Sequence, residues 1–147
     1  MKSAIIEKCR ENLRNYRENL QKDIDELKNS MTADTKSSAG DKYETGREMM
    51  KQEQDKLQAQ LEVINRNLAV LQNINTHEEY NSVQFGALVT TSEGKYLISV
   101  SYGKLHIEEK EVVLISAISP LAQLMIDKKV GDKFDWNGNK IMIEEIH

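Results

Sequence analysis

Two acidic residues stand three positions apart in a polar part of the chain and are the main candidates for chemistry. Asp41 and Glu44 follow Gly40 at the expected start of a helix. A spacing of three places both carboxylates on one side of the first helical turn. Paired carboxylates serve in metal binding and in acid–base chemistry. Acidic residues at a helix start are also ordinary capping partners, and the isolated pair fits that structural role better.

The other chemically reactive residue types form no recognisable site in the sequence. Three histidines, His77, His106 and His147, are scattered without the spacing of metal ligands, and we assign them to the surface or to packing. Cys9 is alone in the chain, which excludes a disulfide framework and a cysteine-based zinc site. These features indicate a reducing, cytoplasmic setting.

Charge and hydropathy exclude several classes of function. The net charge is zero over residues 1–75 and −4 over residues 76–147. Direct nucleic-acid binding is therefore disfavoured as the main source of affinity, because it normally requires an excess of Lys and Arg. No apolar run is long enough for a transmembrane helix, and the N-terminus has no apolar signal segment. We expect no membrane partner.

Residues 1–75 carry the apolar pattern of two coiled-coil helices. Leucine, isoleucine and methionine recur every seven residues in two segments, with further apolar residues three or four positions on. The first segment has Ile6, Leu13, Leu20 and Leu27, with Cys9, Tyr16, Ile24 and Met31 between or beyond them; the second has Met50, Leu57, Ile64 and Leu71, with Leu61 and Leu68. We predict an antiparallel hairpin that forms an arm, with its tip near residues 32–44.

The predicted tip contains residues 32–40, which are mostly small and polar, and this composition predicts a loop. The second helix is expected over about 42–74, and Gly46 predicts a late start because glycine costs about 1 kcal/mol in a helix. Taken alone, such an arm is as well explained by a spacer or dimerisation role as by a catalytic one.

Residues 82–147 predict a small α+β domain, joined to the arm by a linker at 76–81. Strands are expected at 83–89, 96–101, 111–115, 133–136 and 141–146. Ser119 and Pro120 are typical of the N-cap and first position of a short helix. Asn137-Gly138 is the strongest hairpin signal. Trp136 is expected in the core or covering this hairpin.

The stretch from Ile115 to Phe134 resembles the C-terminal signature of the Gre factors, the transcript-cleavage factors of bacterial RNA polymerase. That signature reads I-S-x-x-S-P-L-[AG]-x-x-L-[LI]-x-K-x-x-G-D and is followed by a hairpin and a final I-x-x-I, here residues 143–146. At the tip, Gly40, Asp41 and Glu44 correspond to the family's G-D-L-x-E. The resemblance implies an antiparallel coiled coil followed by an FKBP-like domain.

The resemblance also implies a mechanism. The arm would enter the secondary channel of RNA polymerase, where Asp41 and Glu44 would help to hold a second Mg²⁺ for hydrolysis of backtracked RNA. Tyr43 would stack on a displaced base at the RNA 3′ end, and Arg47 and Lys51 would contact RNA phosphate. The alternatives for these three are tip packing and a solvated helix face. The chain would be a monomer, would bind no cofactor alone, and would be no enzyme by itself.

Three alternatives remain open from the residues. Lys42 and Thr45-Gly46 depart from the family pattern, which favours a regulator that occupies the channel without cleavage. The family's T-x-x-G lead is missing, and residues 103–107 replace its D-E-A-D-like segment. An FKBP-like peptide binder or prolyl isomerase would need an aromatic-lined pocket. A homodimeric coiled-coil adaptor would need no polymerase.

Overall fold

Two long helices form the first half of the chain. The computed structural model describes the backbone of residues 1–34 and 40–147 and the side-chain surroundings of residues 1–32 and 44–147. Helix α1 spans Lys2–Asp34 and helix α2 spans Gly40–Gln72. Residues 1–39 contain neither Gly nor Pro, so no helix breaker interrupts α1. At 1.5 Å per residue, each helix is about 50 Å long.

The chain forms two compact units. One comprises Met1–Arg10 with Ala69–His147, and the other comprises Glu11–Leu68. The domain boundaries predicted at residues 75 and 82 are based on the change in amino-acid composition between the two halves of the chain, and they remain predictions.

In the helical unit, α1 and α2 run antiparallel. Arg17 Nη1 donates a hydrogen bond to Asn65 Oδ1 at 3.3 Å. Further along α1, Lys28 and Thr32 line a groove with Arg47 and Gln54. Later positions on α1 therefore meet earlier positions on α2, which confirms the predicted hairpin.

The predicted apolar stripe is buried in part. The stripe residues under 9% exposed are Ile6, Cys9, Leu13, Leu20, Ile24, Leu61, Ile64 and Leu71. Nearer the tip, Leu27, Met31, Met50 and Leu57 are only half-buried. Tyr16 is 52% exposed, so its assignment to the stripe is wrong. Its hydroxyl group would need a polar partner in a seam of aliphatic side chains, whereas water satisfies it at the surface.

The tip prediction needs two corrections. Thr32, Ala33 and Asp34 are helical, and the Thr32 hydroxyl donates to Lys28 O at 3.0 Å, so the loop predicted at 32–40 begins too early. Residues 35–39 lie outside the described residues. Helix α2 begins at Gly40 rather than late, and Gly46 lies within it. The cost of one glycine is small beside the cooperativity of a 33-residue helix that packs on a partner.

A six-stranded mixed sheet with one short helix forms the second half. The strands are β1 (Leu88–Thr91), β2 (Gly94–Ser99), β3 (Gly103–Ile107), β4 (Lys110–Ser116), β5 (Lys133–Trp136) and β6 (Asn139–Ile146), and helix α3 spans Pro120–Met125. The strand order is β3-β4-β2-β1-β6-β5. β2 and β4 pair in parallel, and the other neighbours are antiparallel. The predicted α+β class is confirmed, while the FKBP-like assignment stays a prediction.

The main core of this domain lies between α3 and one face of the sheet. Its buried members are Val83, Ala87, Val89, Ile98, Ala122, Met125, Phe134, Ile141, Ile143 and Ile146. Leu97 and Leu114 are buried on the opposite face, where they are register partners. Trp136 is partly buried against the core, as predicted.

Several strand predictions hold and two fail. Asn137 and Gly138 both have positive φ, 51° and 80°, as the predicted two-residue hairpin turn requires. Residues 83–87 are not a strand, since Gly86 has φ +89° and Val83 bonds instead to Asp127 and Lys128. Strand β3 was not predicted, because only Leu105 within it is buried and the sequence pattern is correspondingly weak.

Candidate functional site

The predicted acidic site lies on the first two turns of α2. Gly40 is the first residue of α2, so Asp41 and Glu44 occupy its second and fifth positions. These positions lie about one helical turn apart on the backbone. Glu44 is exposed. The side chains of Asp41 and Tyr43 lie outside the described residues, so the structure gives the helix that carries the site but not its carboxylate geometry.

The two predicted phosphate-contacting residues follow along the same helix. Arg47 and Lys51 are exposed and lie one and two turns beyond Glu44. Arg47 lines a groove of about 340 Å³ together with Lys28, Thr32 and Gln54. This flank of the hairpin therefore brings two cationic side chains, Arg47 and Lys28, from facing helices to one groove near the predicted site.

The opposite flank of the hairpin is acidic. A second groove of about 340 Å³ is lined by the carboxylate residues Asp23 and Glu26 of α1 and Glu53 of α2. The hairpin thus has two electrostatically different sides, and the cationic side is the one that contains Arg47.

The residues of the C-terminal signature have structural roles that the structure shows directly. Ser119 is the N-cap of α3, where its Oγ accepts the N–H of Ala122 at 3.3 Å, and Pro120 is the first helical residue. The Asp132 carboxylate accepts the N–H of Lys129 at 2.8 Å and closes the turn that contains Gly131. Gly131 has φ +93°, a conformation that glycine adopts without strain.

This segment also carries exposed apolar side chains. Ile118 is 85% exposed just before α3, Leu124 is 38% exposed on it, and Val130 is 58% exposed just after it. Lys128 and Lys129 lie between the last two. Exposed apolar side chains contribute to a protein-binding surface when they form one contiguous patch.

Sequence reasoning missed a polar cleft in the unit that contains the sheet. This cleft of about 470 Å³ is lined by the start of α1, residues from 76 to 79 and the ends of β1 and β6. His147 Nδ1 lies 3.1 Å from Glu79 Oε2, and its Nε2 lies 3.5 Å from Glu145 Oε2. The residues that line this cleft are separated by up to 146 positions in the sequence, so no local sequence pattern indicates the cleft.

Lys2 is the buried cation beside this cleft. It is 5% exposed, its Nζ donates to the carbonyl of Glu78 at 2.9 Å, and the ammonium lies 4.8 Å from the centre of the Tyr80 ring. Burial lowers the pKa of Lys2, while the negative charges of Glu79 and Glu78 oppose that shift. The carbonyl and the ring face compensate the buried charge, which fits a structural role.

The predicted roles of the remaining reactive residues can be compared with their surroundings. Cys9 is fully buried, and burial raises the pKa of its thiol to about 12, so it is an inert packed residue as predicted. His77, His106 and His147 are exposed. Among the residues with described side chains, no group of three or more His, Cys, Asp or Glu is arranged to hold a metal ion.

Within the described chain, no helix has the length and apolarity needed to cross a membrane.

Comparison with known proteins identifies one distant structural neighbour. The sequence matches no protein-family model and no curated protein. Among solved structures, the chain is similar to the transcription factor Gfh1, with 17% sequence identity and a TM-score of 0.38. The alignment covers 94% of this chain and 92% of Gfh1. The alignment spans nearly all of both chains, but the similarity is distant.

Proposed function

We propose that this protein is a Gre-like transcription elongation factor that binds RNA polymerase and stimulates cleavage of backtracked RNA. The observation that carries the proposal is the position of Asp41 and Glu44. Both lie in the first two turns of α2, at the end of the hairpin where α1 ends at Asp34 and α2 begins at Gly40. The helical unit, Glu11–Leu68, is about 40 Å long at 1.5 Å per residue, and acids at this end of it would suit a narrow, deep channel such as the secondary channel of the polymerase.

The residues fit a shared metal ion rather than a resident one. Carboxylate oxygens are the hard donors that Mg²⁺ prefers, and Glu44 is exposed to a partner. Two carboxylates supply only part of the six-coordinate shell of Mg²⁺, and the remaining positions would be taken by water and by groups of the polymerase and the RNA. When bound, the ion would assist the attack of water and the departure of the 3′ oxygen. Asp41 and Glu44 would position it, and the protein alone would be no enzyme.

The cationic flank supports a contact with RNA. Arg47 and Lys28 line one groove from facing helices, and Lys51 follows one turn after Arg47. Guanidinium and ammonium groups so placed would bind RNA phosphates next to the site that the acids serve. Tyr43, between the two acids in sequence, would stack on the base at the RNA 3′ end.

The segment around α3 supports a separate docking contact with the polymerase. Ile118 and Val130 are 85% and 58% exposed, and Lys128 and Lys129 add positive charge next to Val130 in the sequence. We expect Ile118→Glu to weaken polymerase binding without changing the fold, because Ile118 is 85% exposed.

The isomerase alternative is less well supported. Phe134 is buried in the core, and Tyr96 and Trp136 pack against it. These aromatic side chains are therefore used for folding, whereas the cleft of about 470 Å³ is lined mostly by polar and charged residues.

A regulator that occupies the channel without cleavage is the second candidate. Lys42 and Thr45-Gly46 break the family pattern around the two acids, and Lys42 adds a positive charge directly beside Asp41. A neighbouring cation would lower the affinity of the carboxylates for a metal ion.

A transcript-cleavage assay separates these functions. Wild-type protein is added to a stalled, backtracked elongation complex with Mg²⁺ and is compared with Asp41→Asn and Glu44→Gln. The matched control is Glu53→Gln, which removes the same charge from the acidic groove on the other flank. We expect cleavage to rise with wild type and control and to fall at least tenfold with either tip variant, a loss of about 1.4 kcal/mol of transition-state stabilisation.

The other results each contradict the proposal in a defined way. If wild-type protein binds the polymerase but gives no cleavage, the protein acts as the non-cleaving regulator and not as a cleavage factor. If it gives no cleavage and no binding, both polymerase functions are wrong.

A further inference from the structure

The hairpin of β3 and β4 determines which backbone groups of β3 face away from the sheet. Ile107 and Lys110 flank a two-residue turn and are register partners, so they form a hydrogen-bonded pair. Bonded and non-bonded pairs alternate along an antiparallel ladder, which makes Leu105 the next residue of β3 that is bonded to β4. The N–H and C=O groups of Lys104 and His106 therefore point away from β4.

These outward groups lie on an open edge of the sheet. β3 is the outermost strand, so no further strand lies on that side of it. The backbone groups of Lys104 and His106 make no hydrogen bond to any other residue in the described part of the chain. Their side chains are exposed as well. The edge therefore presents two donors and two acceptors with the spacing that an additional β-strand needs.

An apolar pocket of about 180 Å³ adjoins this edge strand. It lies on the face of the sheet that carries Leu105 and Ile107, because alternate residues of a strand share one face. An apolar cavity of about 150 Å³ is large enough to hold benzene, so this pocket has room for one aliphatic side chain. The lining comes from the start of α1 and from the hairpin, and it includes Ala4, Ile5, Ile107 and Val112 with Glu108 and Lys110.

The edge and the pocket belong to the same compact unit, which comprises Met1–Arg10 and Ala69–His147. A strand added to β3 would direct every second side chain toward the face that holds the pocket. The side chains between them would lie on the other face, next to those of Lys104 and His106. The backbone bonds and the pocket can therefore be used by one extended segment at the same time.

The charges along the edge indicate the kind of segment. Lys104 Nζ and His106 Nε2 lie 3.5 and 3.7 Å from the same carboxylate, that of Glu111 on β4. If two copies of β3 paired antiparallel through their outward groups, each of these basic residues would face a Lys or a His. Like charges directly opposite each other are destabilising, whereas acidic residues at those positions are attracted. A different protein with acidic residues is therefore favoured over a second copy.

We propose that β3 binds an extended segment of another protein, with alternating acidic and aliphatic residues, as an additional antiparallel strand. The acidic residues lie opposite Lys104 and His106 and exchange backbone hydrogen bonds with them, and an aliphatic side chain opposite Ile107 enters the pocket. In such strand addition the main-chain bonds supply affinity and the side-chain pockets supply specificity. The proposal uses none of the tip residues, so it stands or fails separately from the proposed function.

Amide hydrogen exchange measured by NMR tests the added strand. The probe is a short, end-blocked peptide in which glutamate alternates with leucine and valine. In the protein alone, the amides of Lys104 and His106 exchange quickly, while those of Leu105 and Ile107 are protected by their bonds to β4. Peptide at about ten times its Kd slows exchange at Lys104 and His106 about tenfold.

The other edge of the sheet supplies an internal control. β5 and β6 are also joined by a two-residue turn, so the same alternation directs the N–H of Asp135 outward, and its exchange stays fast with peptide. Unchanged exchange at Lys104 and His106 with millimolar peptide would overturn the proposal. Slower exchange at these residues when only the protein concentration is raised would also overturn it, because the occupant would then be a second copy.

Backbone methylation of the peptide distinguishes strand pairing from general attraction. Methylation of the glutamate nitrogens removes the N–H groups that face β3, and it abolishes the slowing of exchange. Methylation of the leucine and valine nitrogens leaves the bonds to β3 intact, so this peptide binds more tightly than the first. The two methylated peptides have the same charge and composition, and equal binding by both would contradict an added strand.

Ala4→Leu tests the pocket. Ala4 is exposed and lines the pocket, so a larger side chain there occupies the space without disturbing the core. The association constant for the peptide falls about tenfold or more. Ser3→Leu adds the same side chain to the same helical turn but lines the polar cleft instead, and it leaves the association constant unchanged. If Ala4→Leu binds the peptide as wild type does, with circular dichroism showing intact helices, no side chain enters the pocket and the proposal is wrong.

Discussion

The buried thiol of Cys9 makes the stability of the protein depend on alkaline pH. Cys9 is fully buried on α1, and burial raises the pKa of its thiol from 9.0 to about 12. In the unfolded chain the thiol is exposed and ionises at its ordinary pKa. Below pH 9 both states hold the proton, so Cys9 contributes no pH dependence there.

As the pH rises above 9, the unfolded thiol loses its proton while the folded one retains it. The folded state then binds more protons than the unfolded state, so stability falls with pH until about pH 12. One pH unit across this range corresponds to 1.36 kcal/mol. We therefore expect a loss of about 2 kcal/mol by pH 10.5 and of about 4 kcal/mol when the shift is complete.

The assay is urea unfolding followed by circular dichroism at several pH values between about 8 and 10.5. Lysine and tyrosine side chains titrate in the same range, so the wild type is compared with Cys9→Ala. This variant loses a pH-independent amount of stability from the smaller side chain, but it lacks the contribution of the thiol. The wild-type free energy of unfolding is expected to fall by about 2 kcal/mol more than that of the variant over this interval.

Thiol labelling gives an independent measurement. A thiol reagent at about pH 8 should leave folded Cys9 unmodified and should react at once in denaturing urea. If the wild type and Cys9→Ala lose stability in parallel as the pH rises, or if the folded protein is labelled rapidly, the account of a buried, protonated thiol is wrong.

Two further substitutions test the domain that contains the sheet, one at the N-cap of α3 and one in the segment before β1. Ser119→Ala removes the oxygen that accepts the Ala122 N–H, and we expect urea unfolding to show a loss of about 1 kcal/mol, most of which Ser119→Thr restores. Gly86→Ala adds a Cβ 3.1 Å from the Tyr80 hydroxyl at φ +89°, and we expect a fall in melting temperature equivalent to about 1–2 kcal/mol. Its matched control is Gly46→Ala, which meets nothing within 4 Å inside α2 and should raise stability by up to about 1 kcal/mol. Unchanged stability of Gly86→Ala would show that the backbone relaxes at that position.

Local signals explain why much of the fold was predictable. The spacing of apolar residues predicted both helices, because a heptad pattern of this length has few other ways to bury its side chains. Ser119-Pro120 and Asn137-Gly138 predicted a helix start and a hairpin, since each pair is suited to one backbone conformation. For these two pairs the determining interaction lies within four residues, and the heptad pattern is a regular repeat that a single sequence also displays directly.

The failures have physical reasons that the local sequence does not show. Strand β3 exists through pairing with β4, although only Leu105 within it is buried. Residues 83–87 look like a strand, but Val83 finds its hydrogen-bond partners at Asp127 and Lys128, more than forty positions away. Tyr16 fits the heptad and still lies in solvent. Distant partners decided the first two, and hydration of the Tyr16 hydroxyl group decided the third; neither effect has a local sequence signal.

The sequence by itself determined the helical hairpin, the small α+β domain and the pair of candidate acids, Asp41 and Glu44. It did so because helix periodicity, capping and turn chemistry are short-range properties that residue types encode directly. Only the tertiary structure decided which flank of the hairpin is cationic, that Lys2 is buried against Tyr80, and that His147 meets Glu79 and Glu145 in one cleft. Those arrangements join residues as far apart as the two ends of the chain, and only packing brings such residues within the few ångströms over which hydrogen bonds and ion pairs act.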